Sequence, residues 1–90
     1  MVLALIEFKR SQLSRYDDDK ILITNIPQDL VDEISKMFRF DFKVGNKFYN
    51  CYVHQVRKHE IIIKKYWQRC ETVVLFSYKA KEAKGEATWK

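Results

Sequence analysis

The most constraining feature of this chain is a two-residue break, Gly45-Asn46, between two stretches that alternate in polarity. Before it, Phe38, Phe40, Phe42 and Val44 alternate with Arg39, Asp41 and Lys43; after it runs Lys47 to Val56. Strict alternation is the signature of a strand, because successive side chains point to opposite faces. Gly followed by Asn suits a type II′ or I′ hairpin turn, which needs a positive φ that Gly adopts without steric cost. A two-residue loop then sets the register. Val44 faces Lys47, Phe42 faces Tyr49, Phe40 faces Cys51 and Phe38 faces Val53, an apolar set that should be core. On the other face Lys43 meets Phe48, Asp41 meets Asn50 and Arg39 meets Tyr52. That second face mixes cations with rings and is expected to meet solvent or a partner.

The rest of the chain is read around this hairpin. Val2 to Lys9 is expected to be a strand and Ile21-Leu22-Ile23-Thr24 a second one, the two pairing as a hairpin. Ser11 to Asp19 between them is polar and ends in Asp17-Asp18-Asp19, the composition of a loop. Pro27 suits the first position of a helix, and Asp29, Asp32 and Glu33 complement its dipole. Leu30, Val31, Ile34, Met37 and Phe38 recur at helical spacing, predicting a helix over 27–38 that buries one stripe. Ile61-Ile62-Ile63 favours a strand, although Ile63, Tyr66, Trp67 and Cys70 also fall at helical spacing. The strand is preferred, ending near Tyr66, with Gln68 to Glu71 as a connection. Thr72 to Tyr78 reads as a further strand.

These elements predict an α+β fold, a mainly antiparallel sheet of five to six strands with one helix packed on one face, in the order β-β-α-β-β-(β or α)-β. With 90 residues, one compact domain over 1–78 is expected, followed by a C-terminal tail, 79–90, that could dock. A 47% hydrophobic content with two Gly and one Pro excludes disordered and collagen-like classes. The opening apolar run stops at Glu7, far short of the roughly 20 residues that span a bilayer. No charged segment precedes that run, so no secretory signal and no membrane partner are expected. Two Cys do not make a disulfide framework, which points to a cytoplasmic, intracellular setting.

Charge is unevenly spread. The formal net charge is +5, but residues 1–33 carry a net −3 and residues 34–90 a net +8. Arg57, Lys58, Lys64, Lys65 and Arg69 cluster near His54 and His59, with Glu60 the one anion among them. Such a concentration attracts phosphate backbones through counterion release. Beside it, the Arg39, Lys43, Phe48, Tyr52 and His54 face offers flat rings on which unpaired bases can stack. The expected function is therefore a non-catalytic basic module. Its nucleic-acid or nucleoprotein contacts are expected at Arg39, Lys43, Phe48, Tyr52, His54, Arg57, Lys58, Lys64, Lys65 and Arg69. The alternative is a phage- or virus-encoded inhibitor of a host protein complex. It rests on small size, on rings and Arg of the interface hot-spot type, and on 36 residues with AT-rich codons against 12 with GC-rich ones. A homodimer through an exposed sheet edge is a third reading.

Other chemistry is poorly supported. Cys51, His54, His59 and Cys70 have a C-x2-H-x4-H-x10-C spacing, but residues 51 and 54 of one strand point to opposite faces, so no metal is expected. Two glycines cannot build a phosphate-cradling loop, no Ser sits in a Gly-flanked elbow, and no cofactor or enzyme activity is expected. Ile21 to Pro27, followed by a helix, resembles the first strand and helix of an RNA-recognition motif over about 18 residues, with Lys47 to His54 in the place of its second signature. Leu22, Phe48, Asn50 and Cys51 depart from that pattern, and no family is assigned.

Overall fold

The computed structural model describes residues 5–75. The expectations for residues 2–4, for 76–78 and for the 79–90 tail lie outside the described residues. The described chain is a mixed α+β fold with one six-stranded sheet. Its strands are β1 (Ile6–Phe8), β2 (Leu13–Asp17), β3 (Lys20–Ile23), β4 (Arg39–Val44), β5 (Lys47–Arg57) and β6 (Glu60–Arg69), in the spatial order β1-β4-β5-β6-β3-β2. Two short helices accompany it, α1 (Gln28–Ile34) and a second helical segment at 71–75.

The predicted hairpin forms in the predicted register. Arg39 pairs with Tyr52, Phe40 with Cys51, Asp41 with Asn50, Phe42 with Tyr49, Lys43 with Phe48 and Val44 with Lys47. Gly45 has φ +61° and Asn46 a negative φ, the pattern of a type II′ turn. The Val53 N–H extends the pairing by donating to the Phe38 carbonyl at 3.0 Å.

The two edge strands are consecutive in sequence, and this shapes the sheet. Six flat strands at about 4.8 Å spacing would hold their edges roughly 24 Å apart. The link from Phe8 to Leu13 can reach at most roughly 18 Å, and less because Arg10–Gln12 form a 3-10 turn. The sheet is therefore curled. Gln12 fastens the link: its Oε1 accepts from the Lys9 N–H at 2.8 Å and its Nε2 donates to the Thr24 carbonyl at 2.8 Å. The concave side holds the core, where Ile6, Phe8, Ile23, Phe40, Phe42, Val44, Cys51, Ile61 and Ile63 are buried with Ile26, Val31 and Ile34.

Four expectations are corrected. The first two strands do not pair with each other: β1 lies parallel to β4, and β3 pairs with β6 and β2. The polar stretch 11–19 is not all loop, because Leu13–Asp17 forms the edge strand β2, where side chains face water on one side and need not be apolar. The helix ends at Ile34 rather than 38. The Phe38 carbonyl is taken by the Val53 N–H of β5 at the bend that leads into β4, and the Ser35 hydroxyl donates to the Asp32 carbonyl at 2.6 Å, closing the last turn. Finally, 71–75 is helical, not a strand. Both sides of β6 are already taken by β5 and β3, so the chain leaving it has no adjacent place in the sheet. It folds back with the Val74 N–H donating to the Cys70 carbonyl at 3.2 Å.

A Cβ at position 45 would meet nothing within 4 Å, so only the backbone opposes substitution there. Gly45→Ala is expected to destabilise the fold by about 1–2 kcal/mol, the cost of a left-handed conformation for an L-residue. Urea unfolding checks this, and an unchanged midpoint would contradict the II′ turn.

Candidate nucleic-acid interface

The convex face of the β4–β5 hairpin carries its three cross-strand pairs in a row, and each has a different fate. At the turn end, the Lys43 ammonium sits 5.6 Å from the centre of the Phe48 ring. Phe48 itself is buried, packed with Val74 and Leu5. It therefore offers no free ring face, which corrects the expectation that it contacts a base.

In the middle, Asp41 and Asn50 are both buried. The Asn50 Nδ2 donates to Asp41 Oδ1 at 2.6 Å and to the Phe40 carbonyl at 3.2 Å. Arg69 Nη1 donates to both carboxylate oxygens of Asp41, at 3.1 and 3.3 Å. A buried carboxylate needs such a partner, since desolvating an unpaired charge is costly. Arg69 is thus committed to the fold, and the sequence expectation that it meets phosphate does not suit its geometry.

At the far end, Tyr52 is flanked by two rings. Phe38 meets it edge-on, with centroids 5.1 Å apart and planes at 70°. Trp67 lies 5.9 Å away at 51°. The Arg39 guanidinium sits 6.0 Å from the Tyr52 centroid, and Lys64 pairs with Tyr52 across the β5–β6 ladder. Phe38 is 77% exposed and Trp67 41%. This cluster is accessible, aromatic and basic, and it joins Arg39, Tyr52 and Lys64 from the expected set to Phe38 and Trp67, which sequence reasoning missed.

A bulge brings Trp67 there. Asn50 pairs with Trp67 but Tyr52 pairs with Lys64, so β6 carries one residue more than β5 across this step. Lys65, with φ +50°, lies in that step. Without the extra residue, positions 64 and 67 would face opposite ways. A second bulge, on β5, falls at His54, because Val53 pairs with Ile63 and Gln55 with Ile62. The mixed periodicity of 63–70 was the trace of the β6 bulge in the sequence. Phe38 precedes β4 and escapes the strand's alternation.

The remaining expected residues lie elsewhere. Lys65 and His54 are exposed at the bulges. Arg57 and Lys58 are exposed at the β5–β6 tip, about five residues or roughly 16 Å along β5 from Tyr52. Arg57 stacks on Tyr16, 5.6 Å from its centroid, and lies 3.9 Å from Glu60. His59, at φ +60° in that tip, is held by the backbone of Ile26: its Nδ1 is 3.1 Å from the Ile26 carbonyl, and its own carbonyl accepts the Ile26 N–H at 3.0 Å.

No group of three His, Cys, Asp or Glu converges on a metal position among the described residues. Cys51 is buried in the core and Cys70 exposed. The Asp17-Asp18-Asp19 carboxylates each face a cation instead, Asp18 at 2.7 Å from Arg15, Asp19 and Asp17 at 3.2 and 3.6 Å from Lys20. β3 and β5, the two stretches that resemble RNA-recognition signatures, are separated by β6. No described helix is long and apolar enough to cross a membrane. Compared with family models, curated proteins and solved structures, the chain matches none.

The two thiols should differ in reactivity. Burial pushes the Cys51 thiol up, whereas backbone N–H groups of Val73 and Thr72 lower that of Cys70. The thiolate is the nucleophile. A chromogenic disulfide reagent at neutral pH should label Cys70 rapidly and leave Cys51 until the chain is unfolded, so that Cys70→Ser abolishes the fast phase. Separately, Arg69→Met should lower stability by about 1.5–3 kcal/mol, the range for a hydrogen bond to a charged group, measured by urea unfolding.

Proposed function

We propose that this chain is a non-catalytic binding module that contacts single-stranded nucleic acid through Phe38, Arg39, Tyr52, Lys64 and Trp67. The observation that carries the reading is the exposure of Phe38 and Trp67 on either side of Tyr52, with cations beside them. A lone exposed ring is ordinary; three in contact on the convex side of a sheet form a patch. A base exposes its flat face only when unpaired, so a patch of rings favours single strands over duplex. Arg39 and Lys64 add attraction for phosphate that salt weakens, and the +8 charge of residues 34–90 extends it.

The rival reading is a protein-binding inhibitor encoded by a phage or virus, which would seat the same rings in a partner's pocket. A pull-down from nuclease-treated lysate separates the two, since a partner retained without nucleic acid favours the rival.

Stacking is worth roughly 1–3 kcal/mol per base. Phe38→Ala and Trp67→Ala are therefore each expected to weaken binding of a labelled single-stranded oligonucleotide by about 5- to 150-fold in fluorescence anisotropy. Lys58→Ala, at the distant tip, should act only through charge and reduce the salt slope. Absence of binding at low salt, or ring variants that bind as well as the parent, would refute the proposal.

A further inference from the structure

The curled sheet leaves its concave side open at one end, and a groove of about 260 Å³ remains there. Phe42, Val44, Tyr49 and Ile63 line it, with Leu13 and Tyr66 at its sides. Segments flanking α1 bond to Val53 and His59, on the far half of β5 and its tip, so the helix lies at the other end. The groove is thus a recess into the core where the closing sheet runs out of cover.

The charged residues lining the groove are Arg10 and Arg15, and no acidic residue lines it. Arg10 is exposed and makes no ion pair or side-chain hydrogen bond among the described residues. Arg15 pairs with Asp18, but both side chains are largely exposed, at 75% and 92%, and such pairs exchange readily with another anion. The Tyr49 and Tyr66 hydroxyls have no hydrogen-bond partner among the described residues. An apolar floor with two guanidinium groups at the rim complements a molecule that is apolar along its length and anionic at one end. At roughly 30 Å³ per heavy atom, the space holds about eight or nine such atoms.

We propose that this groove binds a medium-chain carboxylate, its acyl chain against Phe42, Val44 and Tyr49 and its carboxylate at Arg10. The site is on the opposite side of the sheet from the Phe38–Tyr52–Trp67 cluster and is independent of it. An acyl chain gains about 0.8 kcal/mol per buried CH₂, which is about fourfold in affinity per carbon. Selectivity for length should therefore rise steeply until the groove is filled.

Titrating the full chain with octanoate, followed by amide chemical shifts, tests this. Octanoate is expected to move the amides of Leu13, Val44 and Tyr49, with butyrate far weaker and octylamine without effect. Arg10→Ala, at an exposed position, should weaken octanoate about fivefold while leaving octanol unchanged. Leu13→Trp, which fills the groove, should abolish binding, and Phe38→Ala should leave it intact. Octanoate without effect on those amides, octylamine binding as well as octanoate, or Arg10→Ala binding octanoate like the parent would each overturn the proposal.

Discussion

The short link between the sheet's two edge strands governs the molecule. Phe8 and Leu13 belong to strands at opposite edges, yet one 3-10 turn joins them. A flat sheet could not satisfy that link, so the sheet has an inside and an outside. Inside, isoleucine and phenylalanine from four strands meet with Cys51 of β5, and no charged side chain is among the buried cluster. Outside, the chain can carry charge and rings. Both proposed sites are consequences of this division, one on the convex hairpin face and one where the concave side stays open.

The convex face is further divided by the Asp41–Asn50–Arg69 network. On its turn side Phe48 is covered by Val74 and Leu5; on its other side Tyr52 is left with Phe38 and Trp67. The network has a cost. Asn50 commits its Nδ2 to Asp41 and to the Phe40 carbonyl, and its buried Oδ1 has no partner among the described residues. A buried acceptor left unmade costs about 1–3 kcal/mol. In exchange, a carboxylate on β4, an amide on β5 and a guanidinium on β6 meet in only one alignment of three strands. Slipping any strand by a residue would strand the carboxylate without its cation, which penalises misregister more than an apolar trio would.

How far the sequence was legible follows from the same physics. The β4–β5 register could be read residue by residue, because a two-residue loop leaves one pairing and alternation leaves one core face. The burial of Asp41, Asn50 and Phe48 could not, because alternation tells which face a residue is on but not whether something covers that face. Their cover comes from Arg69 and Val74, distant in sequence. Leu13–Asp17 was hidden for a related reason: an edge strand is held by backbone bonds to β3, and its exposed side chains can be as polar as a loop's. Phe38 was misplaced because the helical spacing of 30–38 continues past the point where β-pairing of its carbonyl takes over. Trp67 was missed because a bulge reverses the alternation just before it.

The bulges explain why aromatic and basic residues converge at Tyr52 rather than alternating away from one another. A bulge adds one residue to one strand and flips the faces beyond it. The β6 bulge places Lys64 and Trp67 on the same side; the β5 bulge at His54 changes only which residues of β5 lie opposite Ile61 and Ile63, so that Val53 faces Ile63 and Val56 faces Ile61, while the two isoleucines keep their common core face. The two opposite bulges cancel in register, so that the Asn50–Trp67 and Arg57–Glu60 pairs on either side keep one alignment and only the stretch between, Tyr52–Lys64 and Val53–Ile63, is offset by one residue. A regular ladder would have kept the core and put Trp67 on the wrong face. The β6 bulge leaves the alternation of Ile61, Ile62 and Ile63 untouched and brings Trp67 beside Tyr52, which completes the exposed ring cluster. That coincidence of a bulged backbone with an accessible, aromatic and cationic surface is the physical ground for proposing the site there rather than at the β5–β6 tip, where Arg57 is held beside Tyr16 and Glu60.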